Sequence, residues 1–169
     1  RILGVASHVE ISQFDGTLTQ WQTVAESAKR NAQVEATAPY VMAQGMVSFD
    51  QVVQGTLIRG ILPEMENHVV DLGRQMKVGR LEDLRPGEFG IVLGVDLARS
   101  LGAGLGSKIT VIAPQGQVTP AGILPRLKQF TVVGIFEAGM SVYDAGLALM
   151  HLDDAAKLYR MEDKVSGVR

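Results

Sequence analysis

Short runs rich in β-branched and other apolar residues recur along this chain, and their spacing constrains the fold more than any other feature. Several runs alternate apolar with polar residues, which is typical of strands buried on one face. The predicted strands cover residues 8–12, 38–47, 52–61, 90–93, 108–113, 129–136 and 146–150, and a run from residue 165 onward. Because helical patterns interrupt these runs only irregularly, the sequence predicts an α+β fold with mostly short strands.

Helical spacing is clearest after residue 19, where Thr19 and Gln22 form a capping-box pattern. The apolar face of this predicted helix consists of Trp21, Val24, Ala25, Ala28 and Ala32. We expect the next two strands, 38–47 and 52–61, to pair as antiparallel neighbours. A polar, charged stretch between Pro63 and Pro86 follows them, and we predict a subdomain junction there.

Two shorter helices are predicted from their capping residues. Asp96 is expected to cap a helix at residues 97–101, and Gly102 stands where that helix should end. Asp153 is expected to cap a second helix at residues 155–160, in a last strand-helix-strand unit.

Composition narrows the function. The chain has 169 residues, of which 46% are apolar, enough for the core of one ordinary domain or two small subdomains. A net charge of -2 gives no basic field, so nucleic acid is not an expected partner. The absence of cysteine excludes disulfide scaffolds, thiolate zinc sites and cysteine nucleophiles, but it leaves the redox compartment open.

No run approaches the roughly 20 apolar residues that a membrane-spanning helix needs. The most apolar stretch, residues 36–49, contains Pro39 and Gly45. The chain begins without Met or a signal-peptide pattern, and residues 165–169 stop inside a predicted strand. We therefore expect a fragment of a longer protein.

Candidate catalytic, metal and cofactor sites have simpler structural explanations. Residues 102–108 are glycine-rich and end in Lys108, but they follow a helix and enter a strand, which is the reverse of a phosphate loop and predicts a turn. His151 and Asp153 offer only two of the three or four ligands that a metal needs. Asp153 and Asp154 are adjacent at a helix start, so they suit the helix dipole rather than paired acid-base chemistry. We expect no catalytic residue, metal or cofactor.

Methionine is the other candidate for partner binding, because flexible thioethers suit varied apolar surfaces. The seven methionines lack helical or strand spacing, so core filling is the better explanation. Met140, in a loop beside Gly139, is the expected exception.

The segment 114–128 is the most informative part of the sequence. It separates two strand predictions, yet it is far longer than the two to five residues that a hairpin loop needs. Its centre carries Pro120 and Pro125, which stiffen it, and Ile123 and Leu124, which have no obvious core to enter. A stiff arm with apolar tips would lose little entropy on capturing a partner. The residues alone favour this arm and a loop folded onto its own domain equally.

Three motifs together resemble one family. They are RILGVASHV at residues 1–9, GIVLGVDLARSLG at 90–102, and the arm TPAGILP at 119–125 followed by FTVVGIF at 130–136. They are similar to the periplasmic domain of lipoprotein-releasing ABC permeases, the LolC/LolE family with a MacB/FtsX-like fold. The Thr-Pro-x-Gly-x-x-Pro pattern looks like LolC rather than LolE.

The resemblance implies a domain inserted between the first two membrane helices of a permease. A Porter-like α/β sandwich would combine residues 1–65 with 141–169. A mainly-β Sabre-like subdomain at 66–140 would carry a protruding hairpin, the hook, at 114–128.

The resemblance also implies a non-enzymatic function at the periplasmic face of the bacterial inner membrane. A LolD-type cytoplasmic ATPase would drive this permease and a second permease subunit, and a lipoprotein would pass to the soluble carrier LolA. The alternative is a MacB/FtsX-like domain that transmits motion to a different periplasmic partner.

Carried over by position, the carrier-binding residues form two groups. Within the hook they are Thr119, Pro120, Ala121, Gly122, Ile123, Leu124, Pro125 and Arg126. The pad at its base is Thr110, Leu127 and Lys128, where LolC has Arg, Gln and Arg. Two polar pad residues are thus replaced, and Arg126 is a candidate for compensating them.

Overall fold

The computed structural model describes residues 11–12, 20–31, 39–65, 72–120, 122–159 and 167–168, with the backbone alone at residues 12, 72–73, 115–119, 122–125 and 167–168. Its strands are β1 Ile11–Ser12, β2 Pro39–Phe49, β3 Val52–Ile61, β4 Met76–Gly79, β5 Gly90–Gly94, β6 Lys108–Thr119, β7 Gly122–Phe136, β8 Leu147–His151 and β9 Gly167–Val168. Its helices are α1 Trp21–Lys29, α2 Val95–Leu101, α3 Ser141–Asp144 and α4 Leu152–Tyr159, with 3-10 turns at Leu72–Gln75 and Leu81–Asp83. The mixed, sheet-dominated α/β content agrees with the predicted class.

Six of the strands pair in a closed ring. Going round it, β2 pairs with β3, β3 with β8, β8 with β5, β5 with β7, β7 with β6, and β6 returns to β2. The β3–β8 and β5–β7 pairs are parallel, and the other four are antiparallel. β9 pairs with β2 and β1, while β4 pairs with β7.

The larger hydrophobic cluster fills the inner side of this ring. All six ring strands contribute buried side chains to it, and α1, α2 and α4 add theirs, for example Ala25, Leu97 and Ala155. β5 and β8 are buried on both faces, because Val92 and Leu149 belong instead to a second, smaller cluster. The larger cluster takes residues from both segments that the sequence assigned to separate subdomains, and that two-subdomain division stays a prediction.

Most element predictions are confirmed where the structure describes them. The 38–47 and 52–61 strands pair antiparallel, joined at Asp50 and Gln51, which both have positive φ (49° and 71°) as a two-residue hairpin turn requires. Ala25 is buried on α1, with Trp21, Val24 and Ala28 half-buried beside it. Gly102 ends α2 at φ 73°.

The predicted helix caps are wrong at two of three positions. α2 begins at Val95 after Gly94, so Asp96 lies inside the first turn, 3.2 Å from Arg99. α4 begins at Leu152, and the ring Nδ1 of His151 accepts a hydrogen bond from the Asp153 amide at 3.1 Å, so the histidine caps this helix. The third predicted cap, Thr19, lies outside the described residues, and α1 begins at Trp21 without a side-chain cap.

Two buried carboxylates accept hydrogen bonds from the backbone amides of loops. Asp154, in the first turn of α4, is fully buried and accepts hydrogen bonds from the amides of Gly87 at 2.8 Å and Phe89 at 3.1 Å. Asp144 does the same for the amides of Ala138 and Gly139 at 2.6 and 3.0 Å. A carboxylate with two amide donors is satisfied without a counter-charge.

Gly60 is where α4 approaches β3 most closely. A Cβ at this position would lie 2.6 Å from the Ala155 Cβ and 3.3 Å from the Leu152 Cα. We therefore expect Gly60→Ala to lower the free energy of unfolding by about 1–3 kcal/mol, because the helix must shift outward. Gly55→Ala is the matched control in the same strand, since a Cβ there meets nothing within 4 Å. Urea denaturation of both variants tests this, and equal stabilities would contradict it.

Tyr159 makes the stability depend on alkaline pH. Burial raises its pKa from 10.0 to about 12, and its hydroxyl donates to the Gln44 carbonyl at 3.0 Å. The unfolded chain therefore releases this proton first, so the stability contribution is complete below pH 10 and is lost as pH rises toward about 12. Denaturation measured across this pH window should show that the free energy of unfolding falls less steeply with pH for Tyr159→Phe than for the natural chain. Identical slopes would disprove the assignment.

Candidate functional site

The predicted hook is a continuous β-ribbon. β6 and β7 run through the segment 114–128, with Gln117 opposite Leu124, Val118 opposite Ile123 and Thr119 opposite Gly122. Only two residues, Pro120 and Ala121, separate the strands, so the prediction of a long loop here is wrong. The strands contain proline and glycine, which are uncommon inside strands, so the sequence pattern did not predict strands here.

The register of the ribbon shifts where it begins. Residues 114–116 of β6 lie between the pairs Ala113–Arg126 and Gln117–Leu124, whereas β7 has only Pro125 there. β6 thus carries two extra residues, which is a β-bulge. Pro114 is tolerated at such a position because a bulge leaves ladder hydrogen bonds unmade.

Beyond this bulge the two strands pair only with each other among the described residues. β6 pairs with β2 at Thr110, Val111 and Ile112 and not further, while β7 meets β5 only from Thr131 onward. Pro120 at the turn is exposed. The side chains of Ile123 and Leu124 lie outside the described residues, so their role as apolar tips stays a prediction.

The pad residues divide between the two faces of the sheet. Thr110 stands opposite Ser48 and Gln129, and Leu127 opposite Ile112, so the alternation of strand side chains puts both on the outer face. Lys128 stands opposite Val111, which is fully buried, and therefore belongs to the inner face at the margin of the core. The three positions are close to one another in the paired strands β6 and β7 but do not form one surface.

The outer face is unexpectedly apolar beside the hook. Leu127 is 62% exposed, and the row from Leu127 across Ile112 ends at Met46, which is 38% exposed. Val53 and Leu57 continue the exposed set on β3. The sequence had singled out Met140, which is half-buried, rather than Met46.

On the inner side, Lys128 lies over an aromatic ring. Its Nζ is 4.3 Å from the centre of the Phe89 ring, and Lys157 Nζ from α4 is 6.0 Å from the same centre. Phe89 packs edge-to-face on Phe130 at 5.5 Å. Neither Phe89 nor Lys157 was predicted from the sequence, because no local pattern brings residues 89, 128 and 157 together.

The two discarded sites have structural roles. Gly102 to Ser107 form a turn, as predicted, in which the Gly104 amide donates to the Ser107 hydroxyl and the Gly106 amide to the Val132 carbonyl. His151 is 8% exposed and caps α4, while His8 and His68 lie outside the described residues. In the part of the chain that the structure describes, no three His, Cys, Asp or Glu residues are grouped to hold a metal ion.

Comparison with known proteins gives the chain its family. The family model for the MacB-like periplasmic core domain matches residues 3–168. The chain is 47% identical, over all its 169 residues, to a lipoprotein-releasing system transmembrane protein LolC of Neisseria meningitidis serogroup B, and 38% identical to a LolC of Xylella fastidiosa. Both alignments include the whole of this chain, which spans only 41% and 40% of the length of those relatives.

The fold has solved counterparts. The periplasmic region of MacB from Actinobacillus actinomycetemcomitans superposes with a TM-score of 0.57 at 12% identity, covering 95% of this chain and 64% of that one. Among the helices of the described residues, none has the length and hydropathy to cross a membrane. The chain belongs to the MacB-like periplasmic core domain family and is similar over its full length to LolC permeases.

Proposed function

We propose that this chain is the periplasmic docking domain of an inner-membrane ABC permease that releases lipoproteins. Its hook receives the soluble lipoprotein carrier LolA at the periplasmic face of the membrane. The domain itself is non-catalytic, and a separate LolD-type ATPase and a second permease subunit complete the transporter. The observation that carries this proposal is the β6–β7 ribbon, whose outer part pairs with no other described strand.

Such a ribbon suits capture of a partner. Pairing between β6 and β7 continues to Thr119 and Gly122, so the backbone is ordered before any partner arrives. Pro120 and Pro125 restrict it further. A pre-ordered element loses less conformational entropy on binding than a flexible loop, and more of its contact energy becomes affinity. The names of its relatives, lipoprotein-releasing system proteins, support the choice of a lipoprotein carrier as partner.

The relay of motion to the hook has a candidate route. β2 pairs with β9 at Pro39 and Tyr40 and, further along the same edge, with β6 at Met46 to Ser48. A backbone ladder therefore links the last described strand to the hairpin strand through one shared neighbour. Hydrogen-bonded strands move together, so displacement of β9 would reach the hook without crossing a loop. We propose on this basis that a Porter-like part at 1–65 and 141–169 drives a Sabre-like part at 66–140.

A second candidate function is transmission of motion to a different periplasmic partner. It is favoured by the fold, which the chain shares with the periplasmic region of MacB. In that case the same β9–β2–β6 ladder would act, but the hook would not be the main contact for a lipoprotein carrier.

Replacing the apolar hook residues distinguishes carrier docking from transmission of motion to a different partner. We expect Ile123→Asp combined with Leu124→Asp to weaken binding of the purified carrier at least about ten-fold, because desolvating two carboxylates opposes burial of the tip. Leu105→Asp is the matched control, since Leu105 is 58% exposed on the turn before β6. Isothermal titration calorimetry measures both affinities. Full-strength binding by the doubly substituted chain would refute carrier docking through the hook.

A further inference from the structure

Phe89 holds a backbone conformation that bulky residues rarely adopt. Its φ is 53°, in the left-handed region that normally favours glycine. The fully buried carboxylate of Asp154 fixes this conformation by accepting the Phe89 amide at 3.1 Å and the Gly87 amide at 2.8 Å. A strained residue held by a dedicated buried partner is a reason to ask what its side chain does.

The strained backbone directs the Phe89 ring to the base of the hook. The ring meets Phe130 of β7 edge-to-face, with an interplanar angle of 86°. Lys128, two residues before Phe130, extends its ammonium group over the ring from β7, and Lys157 does so from α4. One aromatic ring thus gathers two cations from distant parts of the chain.

These two cations are available to a partner. Lys128 and Lys157 are both exposed, and within the described part of the chain neither forms an ion pair. The electron-rich face of the ring attracts each ammonium group, and an incoming carboxylate would neutralise its charge. Two ammonium groups gathered at one ring are therefore complementary to an acidic protein surface.

We propose that Lys128 and Lys157 form a cationic docking point for carboxylates of the carrier, and that Phe89 is the positioning residue that brings them together. This inference rests on the proposed carrier docking, because Lys128 lies in β7 at the base of the hook. It adds two residues, Phe89 and Lys157, to the single charged pad position carried over by the resemblance. The carrier would meet the hook and this point together.

Four variants test the docking point by carrier titration at about 50 mM and about 0.5 M salt. Lys157→Gln should weaken binding about two- to five-fold at low salt, and the deficit should shrink at high salt, as expected for an exposed charge pair. Phe89→Leu should reproduce part of this loss, whereas Phe89→Tyr should retain binding because it keeps the ring. Lys108→Gln, an exposed lysine at the start of β6, controls for net charge and should bind normally.

The outcomes are distinguishable from those of the hook experiment. Normal binding by Lys157→Gln at low salt, together with lost binding by the hook variant, overturns the docking point and leaves the proposed function standing. Equal losses for Lys157→Gln and Lys108→Gln also overturn it, because net charge alone would then explain them. A third result would also overturn it: Lys157→Gln binds the carrier normally but no longer binds vesicles that contain phosphatidylglycerol. The lysines would then contact a membrane surface and not the carrier. Thermal unfolding of each variant checks that it folds. Because Lys157 is exposed, Lys157→Gln is expected to fold and tests the proposal even if Phe89→Leu does not fold.

Discussion

Backbone pairing of β6 with two neighbours is the interaction on which the rest of this structure depends. Its first half joins β2 to β7 and closes the six-stranded ring, so that all inward side chains meet in one core. Its second half keeps only β7 as a partner and becomes the hook. The bulge at residues 114–116 separates these two roles, because the extra residues interrupt the register just after Ile112, the last residue of β6 that pairs with β2. The rigid core and the proposed docking arm are thus parts of the same strand.

The two-residue period of a strand gives the base of the hook two different chemistries. Leu127 faces outward in one row with Ile112 and Met46, and this row is apolar. Lys128 faces the opposite way and shares the Phe89 ring with Lys157. Apolar contact contributes affinity in proportion to buried area, whereas exposed charges act mainly on orientation and association rate. A carrier bound to the hook would therefore gain affinity mainly from the apolar side, while the charged side would orient it.

Sequence patterns predicted the parts of the fold that are governed by neighbours in the chain. The β2–β3 hairpin, the burial of one α1 face and the stop at Gly102 all follow from local spacing and were predicted correctly. Prediction failed where a distant contact decided the outcome. Asp153 was predicted to cap α4 and Asp154 to suit its helix dipole, but a neighbouring histidine ring caps the helix, and Asp154 is buried against a loop about 65 residues earlier. Prolines likewise made the hook look like a loop, because no local signal reveals a bulge and a long pairing partner.

The sequence by itself determined the family and the mixed α/β class, since these depend on motifs and on periodicity along short segments. Only the tertiary structure decided that six strands close into a ring and that Lys128, Lys157 and Phe89 meet, because strand pairing joins residues whose separation along the chain carries no pattern. It also decided which pad residues share a face. A single extra residue in a strand reverses the direction of every side chain after it, so this assignment follows from the register of the sheet and not from the order of the amino acids.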